Sequence, residues 1–454
     1  MDTFVGTRIV FLLSLAWLSL AACSEEDRSA PGASGESGEA EGISSLDETG
    51  QEGPPEQSSG PKLDLASDYD AGDNVGDCGS LGGGEAQDAF SIIWIANSSE
   101  GTVSKVDTET ATEIARFRTG PGDDPDPSRT SVNLFGEVAV ANRSGSVTKI
   151  AARLEDCIDA NLDGEITTSS GPEDVLEWGA DECVLWHHEV GFDIEVAGHQ
   201  GGPRAVAWDA GTEGPEGCPH DPKLWVGWRA QPAKRVVVRR LDGASAEVEG
   251  EVEIDDWQQN WGHGTYGGAT DIDRNFWGLG TGGTLIRVDA GSFEVSRFDN
   301  PEPDRVVYGI ALDGEGNPWL AGWDGTLWRF EVESETWEDR GQVGSGARLR
   351  GLAIDQDGHA WLAANQGCGL VRYDTLLGET LAAHIELPGC DEPVGVSVDR
   401  EGAIWVVDRA ANTAFRVDPD SQLVDASVTG LVDPYTYSDM TGAGLDVVVN
   451  PRVG

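Results

Sequence analysis

Four tryptophans narrow what this chain can fold into. Trp277, Trp319, Trp361 and Trp405 lie 42, 42 and 44 residues apart, each ten residues after a glycine: Gly267, Gly309, Gly351 or Gly395. Four residues after each glycine comes Asp271, Asp313, Asp355 or Asp399. The registers read GATDIDRNFWGLG, GIALDGEGNPWLAG, GLAIDQDGHAWLAA and GVSVDREGAIWVVD. Each is a strand, an Asp/Gly turn and a second strand carrying the tryptophan. A third strand such as GTLWRFE and a fourth such as ETLAAHIEL follow. These segments alternate every second residue and lack helical periodicity, which excludes helix-pair repeats of similar length. Four short antiparallel strands recurring every roughly 40–45 residues are the mark of propeller blades.

The fold expected is all-β, a seven-bladed β-propeller. SIIWIANSSEGTVSKVD opens blade 1, and GEVAVANRSGSVTKI matches it in blade 2. Blade 3 carries AVAWD and LWVGW, and the four tryptophan registers make blades 4 to 7. Insertions at about 153–186 and 210–223 interrupt blades 2 and 3, so six or eight blades also fit the count. Blade 1 lacks a first strand, whereas the C-terminal PYTYSDMTGAGLDVVVNP reads as a first and second strand with Asp439 in the aspartate position. The C-terminus is therefore expected to supply the missing strand and close the ring, which removes the exposed edges of an open array.

The N-terminus reads as an export signal. Arg8 precedes the apolar run IVFLLSLAWLSL, shorter than the roughly 20 residues a spanning helix needs. Leu20-Ala21-Ala22-Cys23 then resembles a bacterial lipobox, which implies residues 1–22 as signal peptide and Cys23 as the lipidated anchor. Ser24 in place of aspartate implies an outer-membrane location, on its periplasmic or cell-surface side. Residues 23–87 are rich in Ser, Gly, Pro and Glu and cannot bury enough surface to order, so they read as an acidic tether ahead of the propeller at 88–454. Against 81 Asp and Glu stand 30 Lys and Arg, and the net charge of −51 excludes nucleic acid as a partner.

Six cysteines remain after Cys23. An even number in an exported chain points to disulfides, with 15 connectivities possible. Cys157–Cys183 and Cys368–Cys390 are the pairs close in sequence, leaving Cys78–Cys218 by elimination.

The strand pairs W-(V/L/I)-A and G-T-(V/L)-x-(K/R)-(V/F)-D over about 88–454 resemble the NHL-type and streptogramin-lyase-like (virginiamycin B lyase-like) propellers of bacteria. Streptogramin lyases place a histidine base, a metal ion and glutamates at the propeller mouth. The resemblance therefore implies His263, with Gly262 and Gly264 beside it and Tyr266 close by, as candidate base of a metal-dependent lyase. The turns after the tryptophan strands offer Asn, Gly and Asp in place of the glutamates. A membrane-anchored scaffold binding a protein, a peptide or a small polar ligand is the first reading, and the lyase the alternative.

Candidate binding residues follow from topology, because turns between second and third strands share one face with the links between blades. They are Trp228, Arg229, His263, Tyr266, Tyr308, Trp323, Arg350, Asn365, Asp408 and Arg409, with Arg348 and Tyr435 nearby. The plain alternative is that these are ordinary turn and rim groups. Asp159, Asn161, Asp163 and Glu165, with Gly164 at position 6, match the first half of an EF-hand loop and predict a structural Ca2+. Ser170 stands where the bidentate glutamate belongs, with Glu173 and Asp174 as substitutes, and a plain Asp/Asn/Gly turn is the competing reading. A closed propeller needs no second copy to fold, so a monomer is expected.

Overall fold

The computed structural model describes residues 91–192, 198, 201–214, 219–230, 234–257, 262–302, 305–344 and 348–452. The signal peptide, Cys23, the tether, Cys78 and Cys218 lie outside the described residues. No helix among the described residues is long and apolar enough to cross a membrane.

Seven antiparallel sheets make the ring. Blade 1 holds Ile92–Asn97, Thr102–Asp107 and Thr112–Arg118, and the other six blades have four strands each. The first strands run Pro127–Val132, Ala205–Trp208, Gly267–Thr270, Val307–Leu312, Leu349–Ile354 and Pro393–Val398 in blades 2 to 7. Strand residues point alternately to opposite sheet faces, and here both faces meet a neighbouring blade. Inner strands are accordingly buried along their length, as Ile92–Asn97 is, whereas fourth strands such as Glu379–Glu386 are largely exposed.

Each interface between blades has its own apolar cluster. Ile92 and Trp94 face blade 2 with Val138 and Val140, while Ile93 and Ile95 face blade 7 with Trp405 and Val407. The repeated glycine has a packing reason: a Cβ on Gly309 would overlap the carbonyl oxygen of Arg350, and one on Gly395 would overlap that of Thr436. First strands of adjacent blades therefore approach backbone to side-chain-free backbone around the channel.

The aspartate and tryptophan of the repeat bind each other. The Trp277, Trp319, Trp361 and Trp405 indoles donate to Asp271, Asp313, Asp355 and Asp399 at 2.9, 2.8, 2.8 and 2.8 Å. The second oxygen of each aspartate accepts the backbone amide four residues on, as Ala403 N to Asp399 at 2.7 Å. In blade 2 the same position is Asn133, which accepts the Glu137 amide at 3.0 Å, while Ala139 replaces the tryptophan.

Closure comes from the C-terminal segment, though not as two strands. Pro434 bridges to Asn97, the Tyr435 amide donates to Ala96 O (3.2 Å), and the Trp94 amide donates to Met440 O (2.9 Å). This segment is the innermost layer of blade 1. The expected second strand is instead helix α1 (Ala443–Val449). Blade 1 already has its three outer strands, so no edge is left to pair with another. Asp439 keeps the aspartate role, accepting the Thr441 and Gly442 amides, and Gly442 at φ 88° turns the chain into the helix. Leu445 then packs into the cluster of blades 2 and 3, and Val448 into that of blades 4 and 5.

Candidate functional site

The first strands start at one end of the channel and finish at the Asp/Trp turns, so the channel has a mouth end and a turn end. Helix α1 sits at the turn end, where the Gln356 amide donates to Asp446 at 2.9 Å. Between helix and mouth lies a cavity of about 60 Å3, lined by Ser131, Trp208, Ile310, Leu352, Ser397 and Asp439 among others.

At the mouth the residue just before the repeat glycine joins the central cluster in blades 4 to 6, while in blade 7 the same position is Val394, which packs among Ile93, Trp405 and Val407. Blades 4 to 6 place Tyr266, Tyr308 and Arg350 in that cluster, and the same register puts Arg204 in blade 3. The closing segment adds Tyr435 and Tyr437. Blade 2 has Arg129 where blades 4 to 7 have glycine.

These groups pack as one cluster. Ring centroids lie 4.9 Å apart for Tyr266–Tyr308, 4.9 Å for Tyr308–Tyr437 and 5.5 Å for Tyr266–Tyr437. Trp323 tilts against Tyr308 at 5.4 Å, and His263 against Tyr266 at 4.6 Å. The Arg129 guanidinium covers the Tyr437 face at 3.2 Å and lies 5.0 Å from Tyr266. Arg204 lies over Tyr266 (5.7 Å), and Arg350 over Tyr308 (5.4 Å) and Trp323 (5.1 Å). The Tyr435 hydroxyl meets those of Tyr266 (3.3 Å) and Tyr308.

Burial pushes the Tyr266 and Tyr308 phenols well above the ordinary tyrosine value. Burial acts on Tyr435 in the same direction. There, however, hydrogen bonds from Tyr266 and Tyr308 and the Arg350 and Arg204 charges outweigh it, and its phenol falls below that value.

The remaining expected residues lie elsewhere. Trp228 and Arg229 line a separate cavity of about 330 Å3 with Phe192, Arg239 and Glu251, and Arg229 donates to Gly262 O at 3.1 Å. Asp408 is fully buried, and its carboxylate accepts the Asp391, Glu392 and Ala411 amides at 2.8–2.9 Å. Asn365 donates to Pro393 O at 3.4 Å. Arg409 pairs with Asp433 at 2.6 Å and lies 5.3 Å from the Tyr435 ring, at the edge of the cluster. Asp408 and Asn365 are thus engaged in holding the link between blades 6 and 7.

Arg129, Arg204 and Tyr437 were not singled out from the sequence. Extending the blade 4 to 7 register back to Ala205 and Arg129, and forward past Tyr435, would have found all three.

The Asp159 loop sits in the insertion that Cys157–Cys183 closes over a separation of 26 residues. Asp159 accepts the Asp163 and Gly164 amides, Asn161 the Asp163 amide, and Asp163 the Glu165 amide. Asp174 is occupied by the Ser170 hydroxyl at 2.8 Å. The group that reaches back to the loop is Glu182, which accepts the Ala160, Asn161 and Thr167 amides. Asp159, Asp163 and Glu165 do not bring three ligand atoms within 4.8 Å of one another. The one His/Cys/Asp/Glu group that does so among the described residues is Cys368, Cys390 and Asp408, whose cysteines form the second disulfide.

No protein-family model matches the sequence, and no curated protein sequence matches it. Solved structures do. A streptogramin B lyase is 15% identical with a TM-score of 0.49, over 70% of this chain and 89% of that one. A catalytically inactive histidine-to-alanine virginiamycin B lyase from Staphylococcus aureus with quinupristin is 14% identical with a TM-score of 0.46, over 70% and 92%. The WD40 propeller domain of Doa1 is 13% identical with a TM-score of 0.48, over 71% and 88%.

Proposed function

We propose that the chain is a lipid-anchored, extracytoplasmic propeller that binds a small polar ligand or peptide at its mouth. The observation that carries this reading is the gathering of Tyr266, Tyr308, Tyr435, Tyr437 and Trp323 with Arg129, Arg204 and Arg350 at one end of the channel. Rigid aromatics with guanidiniums offer contact area and fixed donors at low conformational cost. Thermal melting of the full chain against a library of polar metabolites and peptides tests it. Stabilising ligands should lose their effect in Tyr308→Ala and Trp323→Ala, and ligands indifferent to both substitutions would sink the mouth as the site.

The alternative, a metal-dependent lyase with His263 as base, draws on the placement of His263 against Tyr266. It predicts a ligand consumed by the unaltered protein and left intact by His263→Ala or a chelator. The anchor belongs to the same proposal: Cys23→Ala should move the protein from the membrane to the soluble fraction.

For the insertion we propose a bound Ca2+ at Asp159, Asn161 and Asp163 with the Glu165 carbonyl, supported by the loop spacing and the Gly164 bend at φ 88°. Asp159→Ala should lower the melting point in calcium and barely alter it in chelator. Equal losses in both would reduce the loop to a turn.

A further inference from the structure

The mouth has more buried donors than acceptors. Arg129 is 1% exposed, and among the described residues no carboxylate pairs with it. Its Nη1 donates to Tyr437 O at 3.3 Å, while Nε and Nη2 have no hydrogen-bond partner. Arg350 reaches Glu392 at 2.9 Å through Nη2 but leaves Nε unmatched, and Tyr437 Oη makes no hydrogen bond of good geometry. A buried charge without a counter-charge is strongly unfavourable, and each unmatched donor adds its own desolvation cost. What the cluster lacks is an acceptor with negative charge.

Resting on the mouth as the binding site, we propose that the ligand carries an oxyanion, a carboxylate or a phosphate, held between Arg129, Arg350 and the hydroxyls of Tyr266, Tyr308 and Tyr435. Guanidinium forks match both groups, and phenol donors complete their coordination. The chain carries −51, which repels a polyanion, so a small anionic group is the one that fits. Tyr435 is the side chain an entering group must swing aside. It rides on the closing segment, which has irregular backbone, and it is less deeply buried than Tyr266, Tyr308 and Tyr437.

The test is thermal melting of the full chain in sodium acetate, in inorganic phosphate and in chloride of equal ionic strength. One oxyanion should raise the midpoint by about 2 °C or more over chloride, saturably, and the preference between acetate and phosphate assigns the group. Arg129→Gln should abolish the rise, and Tyr435→Phe, which keeps the ring and the backbone, should reduce it even where Arg129→Gln fails to fold. No rise over chloride, or a rise unchanged in the variants, overturns the proposal. So does a tyrosinate signal in the ultraviolet difference spectrum at neutral pH without an anion effect, because Tyr435 itself would then carry the charge. A neutral or cationic ligand that depends on Tyr308 and Trp323 while no oxyanion acts overturns this inference and leaves mouth binding standing.

Discussion

At the turn end of the channel Asp271, Asp313, Asp355 and Asp399 each hold a tryptophan indole, whereas at the mouth Arg129 and Tyr437 keep buried polar atoms without partners among the described residues. Both ends are built from the same first strands. The turn end repeats the Asp–Trp bond through blades 4 to 7, so these four aspartates are matched within the fold, whereas in blade 3, which lacks that bond, Asp209 Oδ2 and Trp208 Nε1 keep no partner. The mouth breaks the repeat: glycine gives way to Arg129, and the preceding position varies as Tyr266, Tyr308, Arg350 and Arg204. Repetition serves stability, and departure from it concentrates unmatched chemistry where a ligand can arrive.

Substitutions at the two ends of the channel separate their roles, beginning with the ring itself. Gly395→Ala should have the largest effect, because its Cβ would overlap Thr436 O at the closure. A loss of about 3 kcal/mol by chemical denaturation is expected, and a loss below about 1 kcal/mol would mean that closure tolerates a wider gap between blades 7 and 1. Trp405→Phe comes next. It leaves Asp399 without its indole donor and should cost about 2 kcal/mol while sparing ligand binding at the mouth.

Acidity separates the two ends more finely. Burial pushes the carboxyls of Asp399 and Asp439 up to about 6. Each therefore binds its proton more readily in the folded chain. The stability it contributes is fully present below the ordinary aspartate value and is lost as pH rises through about 6. The melting point should rise by about 2 °C from pH 7 to pH 5, and Asp399→Asn should flatten part of that slope. A slope unchanged in this variant would assign it to relief of the general acidic charge. The smallest effect belongs to Tyr437→Phe. Its hydroxyl has no well-formed hydrogen bond, so removal should change stability by less than about 0.5 kcal/mol in ligand-free protein. A loss near that of Trp405→Phe would show that the mouth is as fully matched as the turn end.

The seven blades and the two short-range disulfides, Cys157–Cys183 and Cys368–Cys390, were legible in the chain. The spacing of Gly, Asp and Trp follows from local geometry: a turn six residues from aspartate to indole brings the two within bonding distance. Alternating apolar residues likewise fix which strand faces meet neighbouring blades. The chain also marked His263, Tyr266, Tyr308, Trp323 and Arg350 as mouth residues, because turn and link positions follow from strand order.

Only the tertiary structure decided the rest. Residues 443–449 became a helix because blade 1 had no edge left for another strand, which depends on how many strands the ring already holds. Asp408 and Asn365 went to backbone partners between blades, and Glu182 rather than Glu173 or Asp174 reached the Asp159 loop. Arg129, Arg204 and Tyr437 come from blades 2 and 3 and from the closing segment, over 300 residues apart at the extremes, so the contact between Arg129 and Tyr437 exists only once the ring is shut. Sequence periodicity sets what each blade is; the convergence of unlike side chains on a common axis is a property of the closed ring.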